Sequence, residues 1–242
     1  MTTRIAMWSG PRNLSTAMMR SFGSRSDTLV SDEPFYGAYL KQTGDPQPMA
    51  DEVVASMDCD WSSVARSLVG PPPGDRPIWY QKHMAHHMVG PIAHDDLPGL
   101  RHAFLIRDPD RVIASYSAKR VKVRPEHLGS EKQVEFFERE ADRLGHAPPV
   151  IDSADILNDP ARMLDRLCTA LGIDWDPAML RWEPGPRQTD GIWGSHWYDA
   201  VNKSSGFDAP DDRAPELSSE EQAVSDVCRP YYERLAKHRI RL

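Results

Sequence analysis

Two stretches of this chain carry residues suited to holding an anion. Ser9-Gly10-Pro11-Arg12-Asn13-Leu14-Ser15-Thr16 lies between a short apolar run and an amphipathic one. A strand-to-helix junction of this kind aims unpaired backbone N–H groups and the positive end of a helix at one point. Arg12 adds a cation there, and Ser15 and Thr16 add hydroxyls in the first turn. This chemistry suits a phosphate or a sulfate. The second stretch is Arg107-Asp108-Pro109, with Ser115 eight residues after the arginine. Arg107 stands where a strand delivers a side chain to the carboxyl edge of a parallel sheet, the usual ligand side. Ser115, two helical turns on, comes within reach of the same anion.

Two further stretches could take a proton. Glu33 closes the run Ser31-Asp32-Glu33-Pro34, and Tyr80-Gln81-Lys82-His83-Met84-Ala85-His86-His87 brings three histidines to a strand end. A histidine needs little tuning to act near neutral pH. Glu33 and each of His83, His86 and His87 are thus candidates for a base, and Lys82 is a candidate, with Arg12, for stabilising anionic charge. The histidine cluster lacks HExxH and a third ligand in register, so no metal site is expected.

These groups must be placed by an alternation of short apolar runs and longer amphipathic ones, the pattern of an α/β sheet with crossover helices. Strands are predicted over Arg4 to Trp8, Thr28 to Ser31, Ile78 to Gln81 and His102 to Ile106, with a fifth beginning at Val150-Ile151. Helices are predicted from Leu14 to Phe22, Asp110 to Lys119, Glu131 to Leu144, Pro160 to Leu171 and Ser218 to Leu235. Gly23 and Gly172 act as stops, and Ser218 or Ser219 as a cap. Pro184 to Arg213, rich in Gly, Pro, Ser, Asp and Trp, reads as a long irregular segment, and loops that long are usually functional or disordered. The expected architecture is one three-layer α/β/α domain over residues 1–242, with a central parallel sheet of about five strands.

Composition narrows the partners. The 242 residues hold 29 basic and 36 acidic side chains, a net charge of −7. That balance argues against nucleic acid, whose phosphates call for a basic face. No apolar run approaches the ~18 residues of a membrane span, and the opening residues lack a signal-peptide stretch. Cys59, Cys168 and Cys228 are odd in number, far apart and without a CxxC pair. A reduced, cytoplasmic protein is expected, and no motif specifies an oligomeric state.

Pro11-Arg12-Asn13-Leu14-Ser15-Thr16 resembles, position by position, the Pro-Lys-Ser-Gly-Thr-Thr loop of the sulfotransferase family. Arg12 replaces the lysine and Leu14 the glycine. Arg107 and Ser115 match that family's second motif, Arg-Asp-Pro with a serine eight residues after the arginine. The strand from Val150, the helix opening at Asp159-Pro160 and the Leu171-Gly172 stop are similar to its later elements. His196-Trp197-Tyr198 through Asn202-Lys203-Ser204-Ser205-Gly206-Phe207 resembles its nucleotide-closing loop. The resemblance implies a P-loop NTPase-like fold and 3′-phosphoadenosine 5′-phosphosulfate as co-substrate, with no metal. Residues from Ser9 to Thr16 would hold the 5′-phosphosulfate, and Arg107, Ser115 and Lys203 the 3′-phosphate. The acceptor would be a small hydroxyl or amine compound. The family's carbohydrate-acting branches resemble Glu33 in their base; its cytosolic members read Lys-Thr-His, against Lys82-His83 here.

Two other readings compete. A small-molecule or nucleotide kinase on a related scaffold would normally carry Gly-Lys-Ser/Thr, where this loop has Leu14-Ser15-Thr16, and would recruit Asp32 for magnesium. A non-catalytic nucleotide-binding family member would keep the cradle and lose turnover.

Overall fold

The computed structural model describes residues 2–119, 122–211 and 213–241, so one position of the long Pro184–Arg213 segment, 212, lies outside them. Five parallel strands form one sheet: β1 (Thr3–Ser9), β2 (Thr28–Asp32), β3 (Ile78–Met84), β4 (Leu100–Ile106) and β5 (Val150–Asp152). Their spatial order is β2-β3-β1-β4-β5, which puts β1 at the centre and turns the chain outward in both directions from it. In such a sheet the ligand crevice opens at the carboxyl ends beside the central strand.

Side chains alternate between the two faces with the period of two that a strand imposes. Ile5 and Met7 of β1, Tyr80 of β3 and Leu105 of β4 pack on one face with Met18, Met19 and Phe22 of α1 (Ser15–Gly23) and Leu164 and Leu167 of α9 (Pro160–Leu171). Ala6 and Trp8, Trp79 and Phe104 pack on the other face with helices α4 (Trp61–Val69), α7 (Ser130–Leu144) and α12 (Ser219–Ala236). The sheet is therefore buried on both sides, which explains the unbroken apolar run in β4. The remaining helices are α2 (Tyr36–Thr43), α3 (Ala50–Ser56), α5 (Pro109–Ser117), α6 (Pro125–Leu128), α8 (Ser153–Asn158), α10 (Gly194–Trp197) and α11 (Asp199–Lys203). Among the described residues no helix is long and apolar enough to cross a membrane.

Three expectations change. β3 continues three residues past Gln81, to Met84, so Lys82 and His83 lie inside a strand and not at its end. The residues between β2 and β3 hold three helices that no expectation covered. The Pro184–Arg213 segment, expected to be irregular, contains α10 and α11.

The far face carries a buried polar network of its own. The Trp8 indole donates to His102 Nδ1 at 2.9 Å, His94 Nε2 lies 2.9 Å from Glu140 Oε2, and Arg143 donates to both Glu140 oxygens at 2.6 and 2.7 Å. Burial holds the neighbouring His83 neutral, its pKa pushed down to about 3, and holds that of His102 down to about 4. Both folded values lie below the ordinary ~6.5 of the unfolded chain. The unfolded state therefore takes up protons first, and stability falls as pH drops from about 6.5 toward 4. We expect a urea-unfolding free energy lower at pH 5 than at pH 7.5 by ~2 kcal/mol or more. A flat profile over that range would contradict the assignment of neutral buried histidines.

Candidate functional site

A cavity of about 220 Å³ opens at the carboxyl ends of β1 to β4, between the sheet and the segment that follows Trp182. Its first wall is the loop after β1. Arg12 and Leu14 both have left-handed backbone, at φ 60° and 69°. Leu14 thus adopts the conformation for which glycine is suited, at a cost of order 1 kcal/mol, and its side chain is anchored against the core. Pro11, Arg12, Leu14, Ser15 and Thr16 line the cavity. Gly10 and Asn13 lie behind it: the Asn13 amide donates to Leu105 O at 3.3 Å, and Ser153 Oγ sits 2.9 Å from Asn13 O. Gly10 and the Asn13 side chain therefore support the loop from the side away from the cavity.

Arg107, Ser115 and Arg12 converge on that wall. Arg12 Nε donates to Ser115 Oγ at 3.0 Å, and Arg107 Nη1 donates to Arg12 O at 2.6 Å. Among the described residues neither guanidinium has a carboxylate within ion-pair distance. Burial lowers the pKa of both, and for Arg107 the nearby Arg111 and Arg12 add to the effect. Asp152 and Asp108 act on Arg107 in the opposite sense. Two half-buried cations with no ion-pair partner among the described residues are suited to an anion.

The opposite wall is built around Lys82. Parallel pairing of β2 with β3 sets Asp32 across from Lys82. The Lys82 ammonium, 1% exposed, donates to Asp32 Oδ1 at 2.9 Å, Glu33 Oε1 at 2.6 Å and Tyr198 OH at 2.7 Å. Burial works against its charge, but Asp32 and Glu33 outweigh it and raise its pKa above the ordinary lysine value. Tyr198, whose pKa burial and Asp32 raise, donates to Asp32 Oδ2 at 2.7 Å. Gly191 N also donates to Asp32 Oδ2, at 3.0 Å, and the Trp193 indole donates to Tyr198 OH at 3.1 Å. The chain around residues 190–198 is thereby tied to the site, and a buried Arg20–Asp190 pair, one contact at 2.7 Å, fastens its start.

Glu33 sits beside this ion pair at φ 45°, a strained backbone of the sort found at functional sites. With Oε1 engaged by Lys82, Oε2 lies 3.9 Å from His87 Nε2. His87 is buried, and burial with the nearby Lys82 pushes its pKa well below the ordinary value. Its ring stacks on Tyr36, with centroids 4.6 Å apart.

Two expected site residues are placed elsewhere. His83 follows Lys82 in a strand, so it points to the other face, where it stacks on Trp8 at 4.4 Å and lies 3.2 Å from Gln81 Oε1. Only one of two consecutive strand residues can face the cavity. Lys203, at the last turn of α11, is exposed and outside the cavity, which Ser204, Gly206, Phe207 and Asp208 line instead. Trp193 and Trp197 both line it. Sequence reasoning placed Tyr198 only within the stretch that resembles a nucleotide-closing loop, and offered Asp32 only for magnesium. Their link to Lys82 depends on strand register and on contacts more than 100 residues apart.

Of the three histidines near the end of β3, His83 packs on the other face, while His86 and His87 both line the cavity with ring centroids 4.3 Å apart. Among the described residues, His94, His102 and Glu140 bring ligand atoms within 4.8 Å of one another, but on the far face and already bonded to Trp8 and Arg143.

The family model described as Sulfotransferase domain matches residues 3–239, and the chain belongs to that family. Two curated proteins of Arabidopsis thaliana, Branched-chain-amino-acid aminotransferase-like proteins 2 and 1, are 32% and 35% identical over 237 and 209 residues. Those matches take in 97% and 85% of this chain but 41% and 37% of theirs, so the chain spans about two fifths of the relatives' length. Among solved structures, the Sulfotransferase Domain from the Curacin Biosynthetic Pathway superposes with a TM-score of 0.54 at 15% identity, covering 94% of this chain and 97% of its own. A sulfotransferase from Alicyclobacillus acidocaldarius gives 0.54 at 13% identity, covering 100% and 98%. At these identities the likeness is one of fold.

Proposed function

We propose that this chain transfers the sulfuryl group of 3′-phosphoadenosine 5′-phosphosulfate to a hydroxyl or amine of a small acceptor. The observation that carries the reading is the pairing, in one cavity, of two guanidiniums without carboxylate partners and a carboxylate with one oxygen left over. Arg12, Arg107, Ser115 and the loop N–H groups suit the phosphate groups of the donor. Glu33 Oε2 suits the acceptor's proton. In the transfer the acceptor oxygen or nitrogen forms a bond to sulfur as the bond from sulfur to the donor's phosphate oxygen breaks. The proton passes to Glu33, and the leaving phosphate keeps the electron pair. Lys82 holds the Glu33 carboxylate in place and offsets the charge of Asp32.

Asp32 has both oxygens engaged by Lys82, Tyr198 and Gly191, which weighs against the magnesium role that a kinase would give it. The plant relatives are named for an aminotransferase. A Schiff base needs an unprotonated lysine amine, and Lys82, the lysine of this cavity, is held as an ammonium by two carboxylates.

Arg107→Ala should weaken binding of 3′-phosphoadenosine 5′-phosphate by ~1.5–3 kcal/mol, the size of a lost hydrogen bond to a charged group. Calorimetric titration of wild type and variant measures it. Equal affinity in the two would remove Arg107 from the donor site.

A further inference from the structure

Arg20 does not line the cavity, yet it holds one of the walls. It stands in the last turn of α1, the helix whose first turn carries Ser15 and Thr16. Its Nη1 donates to Asp190 Oδ1, and its Nη2 is shared between Asp190 Oδ2 at 2.7 Å and Asn202 Oδ1 at 3.2 Å. One buried cation thus grips both ends of the loop 190–202. Trp193, Trp197, Tyr198 and Val201 of that loop line the cavity. Trp197 faces Tyr116 with ring centroids 6.2 Å apart, next to Ser115 and so beside the arginine wall. Asp32 is a second buried anchor, accepting from Gly191 N and Tyr198 OH. On the outer side Lys119 meets Asp199 at 3.3 Å with both side chains partly exposed, a pair of the kind that contributes little.

We propose that Arg20 is a positioning residue of the donor site: from α1 it staples the loop 190–202, so that this wall is set by the protein's own buried charges and not by the nucleotide. The identity of the nucleotide rests on the sulfuryl-transfer reading above; the staple rests on the contacts of Arg20. Without the guanidinium, Asp190 is left buried with only the Arg187 N–H to meet it, and a backbone donor does not neutralise a carboxylate. A buried charge that loses its partner is strongly unfavourable, so Asp190 turns out to water. Gly191, the next residue, is then drawn away from Asp32. A wall ordered in advance spares the nucleotide the entropy of ordering it. When the wall is formed only part of the time, the apparent Kd rises by the inverse of that fraction.

Amide hydrogen exchange of residues 190–202, read by mass spectrometry with and without 3′-phosphoadenosine 5′-phosphate, tests this in the full chain. In wild type the nucleotide should change exchange of the loop by less than ~3-fold. In Arg20→Met without nucleotide the loop should exchange ~10-fold faster or more, while β1 and β4 keep their wild-type rates and added nucleotide slows the loop again. Calorimetry should show that variant binding the nucleotide ~10-fold more weakly, as for a wall formed a tenth of the time. Asn202→Ala releases one end of the loop and leaves no charge unpaired, so it carries the same comparison if Arg20→Met does not fold; its loop should exchange ~3-fold faster or more. Equal loop exchange in wild type and variants would overturn the proposal. So would a wild-type loop that the nucleotide protects ~10-fold or more, or an acceleration that spreads equally to β1 and β4. If wild type does not bind the nucleotide, the sulfuryl-transfer reading falls and takes the donor role of Arg20 with it, and the nucleotide-free exchange still decides the staple. If the nucleotide binds and the loop ignores both substitutions, only the proposal falls.

Discussion

Changing Lys82 to methionine should lower the free energy of unfolding by about 3–5 kcal/mol, the usual loss when one partner of a buried ion pair is removed. Methionine keeps most of the volume, so the effect isolates the charge. Lys82 is the one cation in contact with Asp32 and Glu33 among the described residues, and their side chains are 2% and 11% exposed. Without it, two adjacent carboxylates are left buried with only Tyr198 and Gly191 to satisfy them, and at least one must take up a proton. Urea unfolding at pH 7.5 measures the loss. Adding Asp32→Asn to the same variant should restore part of it, because one of the two orphaned charges is then gone. A loss under ~1 kcal/mol, the range of an exposed pair, would mean that the three groups do not form a charged cluster.

The second large effect is on turnover. Glu33→Gln should depress sulfuryl transfer by ~10²-fold or more, the range for loss of a general base, with nucleotide affinity unchanged. The amide keeps the shape and can still meet Lys82 through its oxygen, but it no longer accepts a proton at neutral pH. Nucleotide binding is expected to survive because Arg12, Arg107 and Ser115 occupy the other wall. Release of 3′-phosphoadenosine 5′-phosphate in the presence of a panel of small hydroxyl and amine acceptors gives the rate, and calorimetry gives the affinity. Full activity in the variant would move the proton to His87, which lies 3.9 Å from the same carboxylate. His83 is not a substitute, since it faces the other side of the sheet.

The convergence of Arg12, Arg107 and Ser115 on one wall was legible in the sequence because its parts are local. The loop from Ser9 to Thr16 is one turn between a strand and a helix, and Arg107 and Ser115 share another strand-to-helix junction. Helix α9 was legible to the residue, from Pro160 to Leu171, because Asp159 caps it and Gly172, at φ 64°, stops it. The other wall was not. Lys82 and His83 looked alike as neighbours at a strand end, and they separate only because β3 runs on to Met84 and alternation sends one residue to each face. Asp32 meets Lys82 through a strand order that places β3 beside β2, and Tyr198 arrives from 116 residues away. No local pattern encodes such contacts. Lys203 was selected for its charge within a motif, whereas the last turn of a short helix leaves it in solvent. The helices between β2 and β3 went unseen for a related reason. Two of them are only seven and eight residues long, and helices that short depend on tertiary packing more than on their own sequence.

The measurement closest to the central claim is calorimetric titration with 3′-phosphoadenosine 5′-phosphate, run beside ATP with magnesium and beside AMP. Micromolar binding that requires the 3′-phosphate and ignores magnesium is the predicted result. Preference for ATP with magnesium, or no binding of any of the three, would contradict it.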